Sequence, residues 1–312
     1  MAAVLILVSA CLYGISPILA KTAYAYGVTP LVLLTWRVTI AATLFWTVCL
    51  ALRQVSRLER RLAGTLVVLG TIFVPLQVYS YFFALSILPA STASVVVNTS
   101  PVHVAWMERL MLGERAAPGE LVLLGMIVAG AVLVAGTTPH AGHTLGLAAL
   151  GVATLGSAFY LVVQRRLVRD APPLLLLAVI QTCSAAVYWV AGLVTGRAAV
   201  LPPAAAFAAI AGSAVAASLA SLLVLIALRT LAATRTAMLG MLEPVVTVGL
   251  SVALLADTMT WPRAVGITTV LAGITVFYWR LWQAGPATAL PEPDAAGGPS
   301  RGLGGGSPTP RA

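Results

Sequence analysis

Charge is what this sequence has least of. Of 312 residues only 9% are charged and only nine are acidic, whereas a soluble domain carries about 25% charged residues. The apolar share is 60% and the mean hydropathy +1.00. No water-soluble fold of this size hides so much apolar surface, so a soluble enzyme, a secreted domain and a disordered regulator are all excluded. Lysine occurs once, as Lys21 after Ala20. A Walker A loop needs Gly-Lys because the lysine reaches the phosphates, so that route to ATP is closed. The three cysteines, Cys11, Cys49 and Cys183, form no Cys-x-x-Cys pair. That excludes a short-spaced zinc or redox motif and leaves them as small apolar fillers. Neither Gly-x-Ser-x-Gly nor His-Glu-x-x-His occurs, which removes the signatures of a hydrolase and a zinc protease. His140 and His143 stand in a polar loop without a nearby carboxylate and read as surface histidines. No catalytic set, no metal and no cofactor are expected.

What is present is apolar length. A bilayer core about 30 Å thick needs about 20 apolar residues per helix, and that ruler gives ten spans: 2–22, 30–52, 62–85, 90–112, 119–137, 144–164, 172–194, 204–228, 234–256 and 263–283. The first run has no basic n-region and no small-residue cleavage site, so it is expected to be a retained span rather than a signal peptide. Residues 284–312 are rich in Pro, Gly and Ser and are expected to form a disordered cytoplasmic tail. Ten spans put both termini on one side. With the termini in the cytoplasm, fourteen of the seventeen arginines lie at inner ends or in the tail, while the outer ends hold Lys21, Arg197 and Arg263. This is the positive-inside pattern. The net charge of +9 is therefore an orientation signal, and no nucleic-acid partner is expected.

One offset, 143 residues, aligns the chain with itself nearly end to end. Ala84-Leu85, Leu88 and Ala90 fall on Ala227-Leu228, Leu231 and Ala233; Pro101-Val102 falls on Pro244-Val245; Glu114 falls on Asp257 and Gly130 on Gly273. Each copy holds five spans, an odd number, so the second enters the membrane upside down. Five-plus-five inverted repeats are a transporter architecture, in which two opposed copies present one central site to either side in turn. The expected fold is an all-α integral membrane protein of ten transmembrane helices, built as two inverted five-helix repeats, 1–143 and 144–283, around a central cavity.

The halves resemble EamA domains of the drug/metabolite transporter superfamily. The likeness is carried by Ala84-Leu85-Ser86-Ile87-Leu88-Pro89-Ala90, Ser100-Pro101, Leu112-Gly113-Glu114-Arg115 and Gly125 to Gly130 in the first half. In the second it is carried by Ala227-Leu228-Arg229, Leu231-Ala232-Ala233, Leu242-Glu243-Pro244 and Leu271-Ala272-Gly273. Trp36-Arg37 and Lys21 also match the family's pattern, whereas Ala256-Asp257-Thr258 departs from its Gly-Glu-Arg. The resemblance implies a multi-pass carrier of the bacterial inner membrane with a central cavity. Members export amino acids, metabolites or toxic compounds, or import solutes.

Candidate site residues come from polarity inside the spans. Pro101 and Pro244 sit at matching places in spans four and nine. Each removes a backbone hydrogen bond, frees the carbonyl four residues earlier (Val97 and Gly240) and kinks its helix. Helices broken at corresponding points of two repeats point to a binding site. A solute lacks two-fold symmetry, so its contacts should break the repeat. That criterion nominates Asn98 against Met241, His103 against Val246, Trp106 against Gly249, and Glu243 against Ser100. For Asn98 an interhelical hydrogen bond, and for Trp106 an interfacial anchor, are equal alternatives. Gln77, Ser80 and Tyr81 form one polar stripe in span three, and Tyr160 belongs to another in span six; such stripes turn inward from lipid. Arg37 lies about 10 Å below the outer end of span two, and Glu243 about as far from the inner end of span nine. The remaining vertical gap of about 10 Å rules out a direct ion pair. Glu243 is expected to exchange a proton, to hold a substrate amine, or to be a neutral group bonded to backbone freed by Pro244.

The sequence thus predicts a non-ATP secondary carrier of a small organic solute, directed outward. Its partners are that solute and the lipid bilayer, and proton coupling is an open alternative. A membrane-embedded lipid-modifying enzyme is the competing class, but it would need clustered acids, and the nine acids are scattered.

Overall fold

The structure is a computed structural model that describes residues 1–55, 58–112, 119, 122–123, 125–126, 129–130, 133, 143–197 and 201–283. The expected tail 284–312, most of span five, the loop with Glu114 and Arg115, and His140 lie outside the described residues. Among those described, helices are the only regular structure. They are α1 (Ala2–Ala25), α2 (Pro30–Ala51), α3 (Arg60–Ile87), α4 (Ala90–Val97), α5 (Ser100–Leu112), α6 (His143–Leu167), α7 (Pro173–Val194), α8 (Ala204–Leu228), α9 (Ala233–Leu239), α10 (Leu242–Leu255) and α11 (Trp261–Gln283). Among the described residues seven helices are long and apolar enough to cross a membrane, Arg235–Leu255 counting as one.

Local chemistry explains the helix ends. Proline begins α2 and α7, at Pro30 and Pro173, where its fixed φ suits the first turn and its missing N–H has no partner to lose. Thr29 caps α2 by accepting a bond from the Val32 amide. Both helices end in left-handed residues, Arg53 at φ 51° and Gly196 at φ 68°, and these two positions are one repeat offset apart. Threonines are tolerated in the apolar interior of α2 because each hydroxyl bonds within its own helix. Thr35, Thr39, Thr43 and Thr47 donate to Leu31, Thr35, Thr39 and Thr43 carbonyls at 2.7–2.9 Å, leaving no polar group for lipid to strand.

Spans four and nine are broken. α4 ends at Val97 and α5 starts at Ser100; α9 ends at Leu239 and α10 starts at Leu242. The cause is steric: a proline ring clashes with the carbonyl four residues back, and four residues before Pro101 and Pro244 stand Val97 and Gly240. One detail differs from the sequence reading. The Gly240 carbonyl is not left free, because the Glu243 amide turns back to it at 2.9 Å. α3 has a related feature that the sequence reading did not include, a π turn at Leu69–Phe73 ahead of Pro75. α7 pins it there, with Ser184 Oγ donating to the Gly70 carbonyl and Tyr188 Oη to the Pro75 carbonyl, each at 2.9 Å.

The main packing contacts set helices of one half against helices of the other. α1 packs on α8 and α3 on α6; α1 also packs on α10 and α5 on α6; α2 packs on α7, α4 on α10 and α5 on α9. Across α2 and α7, Trp46 Nε1 donates to Thr182 Oγ1 at 2.8 Å and Trp189 Nε1 to Thr39 Oγ1 at 3.0 Å. Residue 46 meets 182 while 39 meets 189, so the two helices run antiparallel. Close approach elsewhere rests on glycine. A Cβ on Gly14 of α1 would lie 2.8 Å from Val246 Cβ on α10, and Thr247 Oγ1 bonds the Gly14 carbonyl at 3.1 Å.

Candidate functional site

The helices enclose a cavity of about 320 Å³, to which both halves of the chain contribute lining residues. Six of the eight sequence-nominated residues line it: Arg37, Gln77, Tyr81, Asn98, Tyr160 and Glu243. The other two stand outside the lining. Trp106 is 58% exposed on α5, and His103 is half-buried with Nδ1 unpartnered. The α4–α5 and α9–α10 breaks flank the cavity, with Val97, Asn98, Ser100, Gly240 and Glu243 in its wall.

Asn98 and Glu243 mark the two breaks. Asn98 Nδ2 donates to the Ser94 carbonyl at 2.8 Å, and Asn98 and Glu243 both stand in the cavity wall. Met241, the repeat counterpart of Asn98, has no polar group, so this wall differs between the halves. Asn98 thus stands in the cavity wall at the α4–α5 break.

Arg37 is held by neutral groups. Its Nε donates to Ser213 Oγ at 3.3 Å, and its guanidinium carbon lies 4.9 Å from the Phe82 ring centroid, a cation–π contact. Ser213 Oγ is in turn 2.8 Å from Ser16 Oγ, so one hydroxyl links α1, α2 and α8. Tyr13, Tyr81 and Tyr188 line the same cavity as Arg37. Among the described residues no carboxylate pairs with it.

Several lining groups escaped the sequence reading: Tyr13, whose hydroxyl is 2.7 Å from Ser221 Oγ, and also Gln181, Ser218 and Thr236. The rule that nominated Asn98 also reaches some of these, since Tyr13 falls on Gly156 and Thr236 on Ala93 across the 143-residue offset. Outside the cavity, Asp257 Oδ2 accepts bonds from Ser91 Oγ at 2.7 Å and Ser251 Oγ at 2.5 Å, tying the start of α4 to the end of α10. Lys21 lies in the field of this carboxylate. Cys11, Cys49 and Cys183 are free thiols, and among the described residues no cluster of His, Cys, Asp or Glu has a metal-binding arrangement.

Seven membrane-length apolar helices among the described residues, set around a largely apolar cavity with a few polar and charged groups in its wall, define a multi-pass membrane protein. The family model of the EamA-like transporter family matches residues 1–136 and again 144–279. The chain belongs to that family, and its membership makes it a membrane transporter of the drug/metabolite type. No curated protein matches the chain. A solved crystal structure, described only as that of a protein, is similar in fold with a TM-score of 0.71 at 20% identity, covering 91% of this chain and 98% of that one. The family is one of transporters and does not favour a lipid-modifying enzyme.

Proposed function

We propose that the protein is a secondary transporter that moves a small organic solute, such as an amino acid, a metabolite or a drug, outward by alternating access and without ATP. The observation that carries this reading is the cavity shared by both halves, walled by two broken helices and holding Arg37 and Glu243. Its frame is ten spans in two inverted five-helix halves, 1–143 and 144–283, followed by the tail 284–312. The reciprocal bonds of Trp46 with Thr182 and Trp189 with Thr39 support the inversion. So do the packing between the halves and the double family match. The distribution of arginine supports cytoplasmic termini in a bacterial inner membrane.

The residues assigned to the solute are Arg37, Gln77, Tyr81, Asn98, Tyr160 and Glu243. Pro101 and Pro244 break the helices that carry part of this wall. No cofactor is assigned. Any proton coupling runs through Glu243, the one carboxylate among the lining residues. The test is flux into liposomes holding purified protein, with candidate amino acids and cationic drugs, with and without a pH gradient. Saturable flux that is lost in Glu243→Ala supports the reading. Absence of flux for every solute, together with turnover of a lipid, overturns it. Proton coupling falls if Glu243→Gln transports with an unchanged response to the gradient.

A further inference from the structure

Arg37 uses little of its hydrogen-bonding capacity. A guanidinium has five N–H donors. Among the described residues the one on Nε, which goes to Ser213 Oγ at 3.3 Å, makes its single hydrogen bond. The donors on Nη1 and Nη2 have no acceptor there, and no carboxylate pairs with the charge. The group is nevertheless fixed. Its carbon lies 4.9 Å from the Phe82 ring centroid, and Ser213 Oγ is itself 2.8 Å from Ser16 Oγ. Arg37 is half-buried and lines the cavity. A planar fork of N–H donors held in a cavity wall is the shape that a carboxylate fills with two parallel bonds.

The wall has acceptors of its own, and they do not fill the fork. Gln77 Oε1, Tyr81 Oη, Ser218 Oγ and Thr236 Oγ1 are buried without a hydrogen bond, and all four residues line the cavity. Buried polar groups are ordinarily satisfied. Here donors without acceptors and oxygens without donors stand in one wall and are not matched to each other. Tyr81 and Arg37 share a neighbour: the Phe82 ring centroid is 5.3 Å from that of Tyr81 and 4.9 Å from the guanidinium carbon. Tyr13 and Tyr188 bond Ser221 Oγ and the Pro75 carbonyl, whereas the Tyr81 hydroxyl is left to a guest.

We infer that the cavity takes a solute with a single oxyanion, a carboxylate on a small apolar body, its oxygens on the Arg37 fork and one of them also accepting from Tyr81 Oη. The inference rests on the transporter reading of the same cavity and narrows its solutes to monoanionic acids. Charge sets the limit of one. Arg37 is the single cation among the lining residues, so a second negative charge has no counter-ion, and Glu243 in the same wall opposes it. A cation is repelled by Arg37, and a neutral solute leaves its charge uncompensated in a low-dielectric wall. The surface around the fork is apolar. Val38 and Ala41 follow Arg37 on α2, and Val74 and Val78 precede Phe82 on α3 at helical spacing. A volume of about 320 Å³ is at the small end of ligand cavities, which run from about 300 to 1,000 Å³.

The test is binding of hexanoate, hexanol, hexylamine, hexanedioate and hexyl phosphate to the purified full chain by calorimetry, followed by flux of hexanoate in liposomes. Hexanoate should bind at least about tenfold tighter than each of the others, as a charge-assisted hydrogen bond would give. Arg37→Gln should abolish its preference over hexanol, and Arg37→Lys, which keeps the charge without the fork, should retain part of it. Tyr81→Phe should weaken hexanoate about fivefold, the worth of one hydrogen bond, and leave hexanol unchanged. Thermal unfolding of each variant checks that it is folded. Equal binding of hexanol or hexylamine, a preference that survives Arg37→Gln, or no binding of hexanoate overturns the inference. Tighter binding of hexanedioate or hexyl phosphate overturns the limit of one charge. The expected preference with no flux above that of protein-free liposomes upholds the anion site and removes the transport reading. Saturable flux of a cationic dye that hexanoate does not inhibit leaves transport standing and removes the anion site.

Discussion

Trp46 donates its indole N–H to Thr182 across the α2–α7 interface, and the bond recurs with the roles exchanged, Trp189 to Thr39, at 2.8 and 3.0 Å. Both residues of the second pair lie 143 positions from their counterparts in the first. If the interface is a pseudo-two-fold contact between inverted halves, the two bonds are equivalent. Trp46→Phe and Trp189→Phe should then each lower stability by a similar amount, about 0.6 kcal/mol for an interhelical hydrogen bond in a membrane. Unfolding of the two variants in detergent measures this. A cost confined to one of them would show that the halves do not share the contact.

Sequence and structure agree best where physics is one-dimensional. Apolar length located α1, α2, α7 and α8 within a few residues, because lipid tolerates few alternatives to a helix. The breaks followed from Pro101 and Pro244, although they fall two to four residues earlier, near the carbonyls of Val97 and Gly240 with which the proline rings would clash. Which face of an oily helix turns inward is harder to read. Asn98 and Glu243 stood out as polar groups that break the repeat. Ser218 did not, because one serine among alanines carries no periodicity, and its partnerless hydroxyl is evident only once α8 is placed. Trp106 was nominated on that asymmetry alone, which does not separate a cavity wall from the outward face it occupies.

The contact of α1 with α10 depends on Gly14. A methyl group there would meet Val246 Cβ and Cγ1 at 2.8 Å and the Glu243 carbonyl at 3.0 Å, and neither neighbour is the end of a flexible chain. Gly14→Ala should therefore destabilise by about 1–3 kcal/mol, as overpacking does, and should disturb the wall around Glu243. Gly151→Ala is the control, because nothing lies within 4 Å of a Cβ at that position. Thermal unfolding should separate the two variants, and equal melting temperatures would sink the packing argument.

Asp257 ties α4 to α10 through Ser91 and Ser251. In the proposed topology this tie lies at the outer mouth of the cavity, and opening that mouth requires it to part. Asp257→Ala removes both bonds, roughly 1 kcal/mol in a membrane setting, which corresponds to about a fivefold shift towards the open form. The readout is labelling of a Ser157→Cys, Cys11→Ser variant by a membrane-impermeant thiol reagent from the side where α1 ends. Labelling should accelerate about fivefold with Asp257→Ala and less with Asp257→Asn, which keeps one acceptor oxygen. An unchanged rate would mean that the contact closes nothing.

Ser213 is a positioning residue for Arg37. Its Oγ accepts from Arg37 Nε at 3.3 Å and lies 2.8 Å from Ser16 Oγ, and the residue itself is fully buried. Without that hydroxyl the guanidinium keeps its place over Phe82 but loses the group that sets its rotation. Ser213→Ala should therefore raise the half-saturating concentration for an anionic or zwitterionic solute about threefold, the equivalent of about 0.6 kcal/mol, with little change in maximal rate. Ser16→Ala removes a hydroxyl from the same serine pair but leaves the Arg37–Ser213 bond, so it separates positioning from packing. If Ser213 only packs α1 against α8, both variants should lower stability alike and neither should shift the half-saturating concentration. If it aims Arg37, the shift should appear in Ser213→Ala alone and vanish in an Arg37→Gln background, where there is no guanidinium left to position.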